Sequence, residues 1–122
     1  MSREKSEELE VGCDGLGLSY EEIGNGGMPL LFVHGLRCDR KDFPRQIERF
    51  GQERRVVAVD LRGHGKSDRP EGDHSVPTFA DDLARLCSEI ELERPMVVGH
   101  SMGGQVALEL AARYPDRRGW SR

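Results

Sequence analysis

The stretch Val97-Val98-Gly99-His100-Ser101-Met102-Gly103-Gly104 passes from an apolar run into glycines set around one serine. To its left, Met96-Val97-Val98 has the β-branched composition of a short buried strand. To its right, Val106, Ala107, Leu110 and Ala111 recur at helical spacing and predict a helix from about Met102 to Tyr114, ended by Pro115. The serine therefore sits where a strand turns into a helix. Small residues on both sides let the backbone bend sharply enough to hold a side chain out in a strained position. The helix N-terminus that follows offers N–H groups and a dipole that favour adjacent negative charge. Its bland counterpart is a glycine-rich turn with an incidental serine, and the strand-and-helix context favours the strained turn.

Working outward, two more apolar runs lack any alternation, Leu30-Leu31-Phe32-Val33 and Val56-Val57-Ala58-Val59, as expected of strands covered on both faces. Between the runs lie helical patterns, a short one around Phe43 to Phe50 and a longer one from about Val76 to Glu91. The longer one places Phe79, Leu83, Leu86 and Ile90 on one face, with Ser75 as N-cap and Pro77 in the first turn. Ahead of all this, Leu9 to Gly24 steps between apolar and polar residues around Asp14-Gly15, a tight-hairpin dipeptide. The expected fold is α/β: an N-terminal antiparallel hairpin, then parallel strands with helices on both faces. Residues 1–8 are expected to be a disordered tail, 9–117 the domain, and 118–122 an atypical tail.

In an open parallel sheet, ligands bind beyond the carboxyl ends of the strands. Three loops would meet there: His34-Gly35-Leu36, Asp60-Leu61-Arg62-Gly63-His64-Gly65, and Gly99-His100-Ser101. Gly65-Lys66-Ser67 does not make a phosphate loop, because the position five before Gly65 is Asp60 where that motif needs glycine. Pro70 would also cut short a helix starting there. His64 and His74 are expected to be solvated loop residues, and Asp60 and Asp68 are not expected to act catalytically.

The ordered motifs LLFVHGL (Leu30 to Leu36), VVAVDLRGHGKSD (Val56 to Asp68) and VVGHSMGG together resemble the N-terminal half of an α/β-hydrolase fold protein over Leu9 to Arg117. The resemblance implies that Ser101 is a nucleophile at the elbow of the fold. The backbone N–H groups of Met102 and Leu36 would form the oxyanion hole, supported by His34, Gly35, Gly99, His100 and Gly103. A serine, where related epoxide hydrolases and haloalkane dehalogenases carry aspartate, implies hydrolysis of an ester, lactone or similar acyl bond through an acyl-enzyme. The partner would be a small-molecule acyl substrate, and neither a metal nor an organic cofactor is required.

Such a serine needs a base oriented by an acid, and in this fold both follow the nucleophile along the chain. After Ser101 come Glu109 and Asp116 but no histidine. Glu109 lies within the elbow helix and Asp116 beyond it, so the chain supplies neither acid nor base of the triad. YPDR is followed by Arg118-Gly119-Trp120-Ser121-Arg122, without strand pattern, where the family continues into a further strand. These features fit a truncated or frameshifted product, a catalytically inactive fragment or binding remnant, or one half of a split enzyme completed by a separately encoded C-terminal half.

Composition narrows the rest. The net charge of -4, from 22 acids and 18 bases scattered along the chain, gives no basic stripe for nucleic acid. MSREKSEELE has no apolar core for a signal or membrane anchor, which suits a cytoplasmic protein with no membrane partner. Cys13, Cys38 and Cys87 are odd in number and far apart, which suits thiols better than disulfides or a zinc site.

Overall fold

The computed structural model describes residues 6–13, 15–35, 38–40 and 43–115. Strands β1 (Glu7–Cys13) and β2 (Leu16–Ile23) form the antiparallel hairpin, paired from Glu7↔Glu22 to Cys13↔Leu16. The register leaves two residues at the tip, where Gly15 takes φ +84°, the left-handed geometry that a two-residue turn demands. β1 starts at Glu7, inside the stretch expected to be a disordered tail. The register sets Glu7 opposite Glu22 and Glu8 opposite Glu21, like charges that by themselves would weaken the pairing. Cations from elsewhere in the chain offset this: Arg40 and Lys66 both donate to Glu8, and Arg55 forks onto Glu22. Residues 1–5 and the expected tail 118–122 lie outside the described residues.

Strands β3 (Leu30–Val33) and β4 (Val56–Val59) run parallel in the middle of the sheet, and all eight side chains are buried. Strand β5 (Met96–Gly99) lies parallel to β3, and β2 closes on β4 antiparallel, giving the order β1-β2-β4-β3-β5. Alternation along the strands sorts the side chains to two faces. On one, Leu31, Val33, Val57, Val59 and Val97 pack against Phe79, Leu83 and Leu86 of helix α2 (Val76–Glu89) and Val106 and Leu110 of helix α3 (Met102–Arg113). On the other, Leu30, Phe32, Val56 and Ala58 meet Phe43 and Ile47, the latter from helix α1 (Pro44–Phe50). Each such large side chain contributes about 1.5–3 kcal/mol by leaving water. The expected α/β layering with helices on both faces is the observed one.

Helix boundaries follow from local chemistry. The Ser75 hydroxyl accepts the Thr78 N–H at 3.4 Å and starts α2. That helix stops at Glu89, two residues short of the expected end, because Glu91 adopts a left-handed φ of 54°. Asp81 of α2 accepts from the Tyr114 hydroxyl at 2.6 Å and Arg113 Nε at 3.0 Å, which ties the two helices together. Among the described residues β1 and β5 are the two edge strands of the sheet; Val98 of β5 is 36% exposed, and Leu108 on the outer side of α3 is 63% exposed.

Candidate functional site

The elbow is built by steric necessity. Ser101 has φ 58° and ψ −118°, a strained combination for a residue with a Cβ, and its side chain is exposed at the N-terminus of α3. The His100 N–H donates to the Val33 carbonyl at 3.0 Å, so the β3–β5 ladder holds up to the residue before the serine. The chain then reverses: Gly103 N–H bonds the His100 carbonyl and Gly104 N–H the Ser101 carbonyl, each at 2.9 Å. A Cβ at Gly99 would drive into the Gly103 backbone, and one at Gly103 into the Val33 carbonyl. Both glycines flanking the serine are required by close packing of α3 on the strand ends. Met102 opens the helix as its first residue, where N–H groups have no partner one turn earlier.

The loop after β3 lies against this elbow. A Cβ built on Gly35 would stand 3.2 Å from the His100 carbonyl oxygen and 3.3 Å from Ser101 Cβ. His34 is fully buried; its Nδ1 lies 2.7 Å from the Gly35 carbonyl oxygen and its Nε2 3.0 Å from the Leu61 amide nitrogen. A carbonyl can only accept and an amide N–H only donate, so the ring is the neutral Nδ1–H tautomer with both nitrogens engaged. It has no nitrogen left for a substrate proton. The Gly35 carbonyl also accepts from Cys38 N–H at 3.1 Å. Leu36, the other expected oxyanion donor, lies outside the described residues. The structure thus brings together His34, Gly35, Gly99, His100, Ser101, Met102 and Gly103.

The loop after β4 supports the other side. Asp60 is 1% exposed and its carboxylate accepts from the backbone N–H of Arg40 at 2.8 Å, that of Lys66 at 3.0 Å, and Arg40 Nη1. Ser67 Oγ donates to the Asp60 carbonyl at 2.6 Å and accepts Ser19 N–H at 2.8 Å, while Asp68 Oδ2 takes Gly17 N–H at 2.7 Å. The DLRGHGKSD segment is stitched to β2 by its own side chains. His64 is not solvated as expected: it is half-buried, its ring centroid 4.9 Å from that of His34 and 5.9 Å from that of Phe79. An imidazole in a loop has enough apolar edge to pack when a buried ring lies beneath it, and its Nδ1 is then satisfied locally, 2.9 Å from the Arg62 carbonyl. His74 is exposed, as expected.

Sequence reading missed Arg40. It is 1% exposed and joined to Asp60, Ser19 and Glu8, yet a lone arginine in a polar loop carries no periodic signal of burial. Glu109 is placed on α3 beside Arg113, 3.7 Å away, and Asp116 lies outside the described residues. Among the described residues no three His, Cys, Asp or Glu side chains are grouped to hold a metal ion, and no helix is long and apolar enough to cross a membrane.

With this geometry in hand, the sequence matches the family described as alpha/beta hydrolase fold over residues 28–117. It is 36% identical over 99 residues to 2-(acetamidomethylene)succinate hydrolase of Mesorhizobium japonicum, covering 81% of this chain and 35% of that protein. It is 37% identical over 107 residues to non-heme chloroperoxidase of Streptomyces lividans, covering 85% of this chain and 39% of the relative. The backbone superposes on a thermophilic esterase from Thermogutta terrifontis with a TM-score of 0.81 at 36% identity, covering 92% of this chain and 43% of the esterase. The chain spans less than half the length of each of these proteins.

Proposed function

The chain belongs to the alpha/beta hydrolase fold family, and from that premise we propose that it carries the nucleophile half of a serine hydrolase acting on esters, lactones or similar acyl bonds. The observation that carries the reading is Ser101 itself, a non-glycine residue at φ 58°, exposed at a helix N-terminus and enforced by two glycines that tolerate no Cβ. Backbone strain of this kind costs about 1–3 kcal/mol and is retained where it serves presentation of a group. Ser101 Oγ attacks the acyl carbonyl carbon, and the oxyanion so formed is met by the Met102 and Leu36 N–H groups. Collapse expels the alcohol, which takes up the serine's proton by way of a base; water then cleaves the acyl-serine to the acid and restores the hydroxyl.

Ser101 needs a base oriented by an acid; no histidine follows it in the sequence, and both ring nitrogens of His34 are engaged. We assign those two groups to a complementary C-terminal half. Relatives named 2-(acetamidomethylene)succinate hydrolase and non-heme chloroperoxidase both match this stretch of sequence, so the stretch does not by itself set the substrate.

The test is phosphonylation of Ser101 by a fluorophosphonate, in which the serine oxygen bonds phosphorus and fluoride leaves. The expected result is labelling faster than that of free serine and abolished in Ser101→Ala. Labelling no faster than free serine would mark the chain as a non-catalytic remnant. An open reading frame downstream that encodes a late aspartate and histidine would support the split-enzyme form of the proposal.

A further inference from the structure

We propose that Arg62 is a positioning residue: from its fork on Asp82 it sets the His64 ring against His34, and so holds the Gly35 peptide in place beside Ser101. Its importance for reaction rests on the reading of Ser101 as nucleophile, whereas its hold on Gly35 does not.

The linkage starts in a turn. Leu61 to His64 closes with the His64 N–H on the Leu61 carbonyl at 2.9 Å, and Gly63 at the third position takes φ 75°, as a type II turn requires. Arg62 occupies the second position, and both of its ends are used. Its guanidinium grips Asp82 of α2 through Nε at 2.6 Å and Nη2 at 2.8 Å, one nitrogen to each carboxylate oxygen. Its carbonyl oxygen stands 2.9 Å from His64 Nδ1, which carries the hydrogen, because a carbonyl only accepts. That bond fixes the orientation of the His64 ring, whose centroid lies 4.9 Å from that of His34 and 5.9 Å from that of Phe79 of α2.

His34 passes the placement on. Its Nδ1–H donates to the Gly35 carbonyl and its Nε2 receives the Leu61 N–H, so one ring spans the ends of β3 and β4. Turned over, the ring would set carbon against the Leu61 N–H and leave a buried donor without an acceptor. Gly35 in turn abuts the elbow: a Cβ built there would stand 3.3 Å from Ser101 Cβ. Arg62 thus reaches the serine through His64, His34 and Gly35.

Stability alone is a poor reason for the fork. Asp82 is 4% exposed on a helix face otherwise given to Phe79, Leu83 and Leu86, where an apolar side chain would pack with no charge to desolvate. What a bidentate pair supplies is direction, since its two parallel bonds set distance and angle together.

Nitrogen-15 NMR of the full chain, with fluorophosphonate kinetics alongside, tests this. In the wild type His34 should show a protonated Nδ1 and a bare Nε2. Arg62→Gln, which breaks the fork, is expected to let the Nε2–H tautomer of His34 appear and to shift the amide signals of Gly35 and Ser101, while those of Leu31 and Val57 stay in place. The maximal labelling rate should fall about tenfold with the probe's apparent affinity unchanged. Asp82→Asn should do the same, and the double variant no more than the worse single one, since both act through one contact. Arg62→Lys, which keeps the charge but not the fork, should recover part of the rate. Unchanged His34 and Gly35 signals in Arg62→Gln overturn the proposal, as do additive losses in the double variant. Shifted signals with an unchanged labelling rate overturn its bearing on reaction. If Arg62→Gln fails to fold, Asp82→Asn and Arg62→Lys decide in its place. A wild type that resists labelling sinks the nucleophile reading, and signals of His34 and Gly35 that still move in Arg62→Gln then sustain the placement.

Discussion

At Gly103 and Gly104, adjacent residues with the same side chain have opposite tolerances. A methyl group on Gly103 would strike the Val33 carbonyl, whereas on Gly104 it would rest 3.7 Å from the Gly99 oxygen, an ordinary contact. Gly103→Ala should destabilise by about 2 kcal/mol or more, as overpacking against backbone does. Gly104→Ala, inside a helix, should stabilise by about 0.5–1 kcal/mol. Ser101→Gly relieves the strained φ and should add about 1 kcal/mol while removing the hydroxyl. Urea denaturation of the three variants checks all of this; a destabilised Ser101→Gly would remove strain from the account. The pattern Gly-x-Ser-x-Gly made the glycines legible in advance, because close backbone approach is what excludes Cβ. Nothing comparable announced Arg40, whose burial depends on Glu8, Ser19 and Asp60, none of them near it in sequence.

At the level of elements, apolar runs and helical spacing made β3, β4, β5 and the three helices readable to within a residue or two. The register between non-adjacent strands was not readable, since β2 joins β4 rather than its neighbour in sequence β3. Nor was the start of β1, where a run of glutamates reads as solvated until its cations are in place. The end of β1 carries its own consequence. Cys13 is 2% exposed, and its thiol pKa is pushed up to about 11 by burial first, then by Glu89 and Asp82, against Arg85. Raising the folded pKa of a group that ionises by losing a proton makes its contribution complete below the unfolded value of 9.0 and lost as pH climbs towards 11. The thermal midpoint should therefore fall between pH 8.5 and about 11, and Cys13→Val should flatten that part of the fall. An identical alkaline decline in Cys13→Val would assign the loss to other groups.

At the scale of the whole molecule, β5 is an edge of the sheet among the described residues, with Val98 36% exposed and Leu108 of α3 an exposed apolar side chain nearby in sequence. Unpaired strand edges of this composition template association with other chains. Expressed alone, the chain should self-associate in sedimentation velocity at rising concentration, and Val98→Lys should shift it towards monomer. A monodisperse wild type with a steep urea transition would contradict this. The order β1-β2-β4-β3-β5 also dictates a sequence of events during synthesis. The hairpin strands emerge first, but β3 cannot join them, because the place beside β2 belongs to β4, which is made 26 residues after Leu30. Until Val59 has left the ribosome, Leu30 to Val33 is an apolar segment with no strand on either side. The nascent chain is thus most exposed to misassembly in that interval, and Val56 to Val59 is the insertion that ends it.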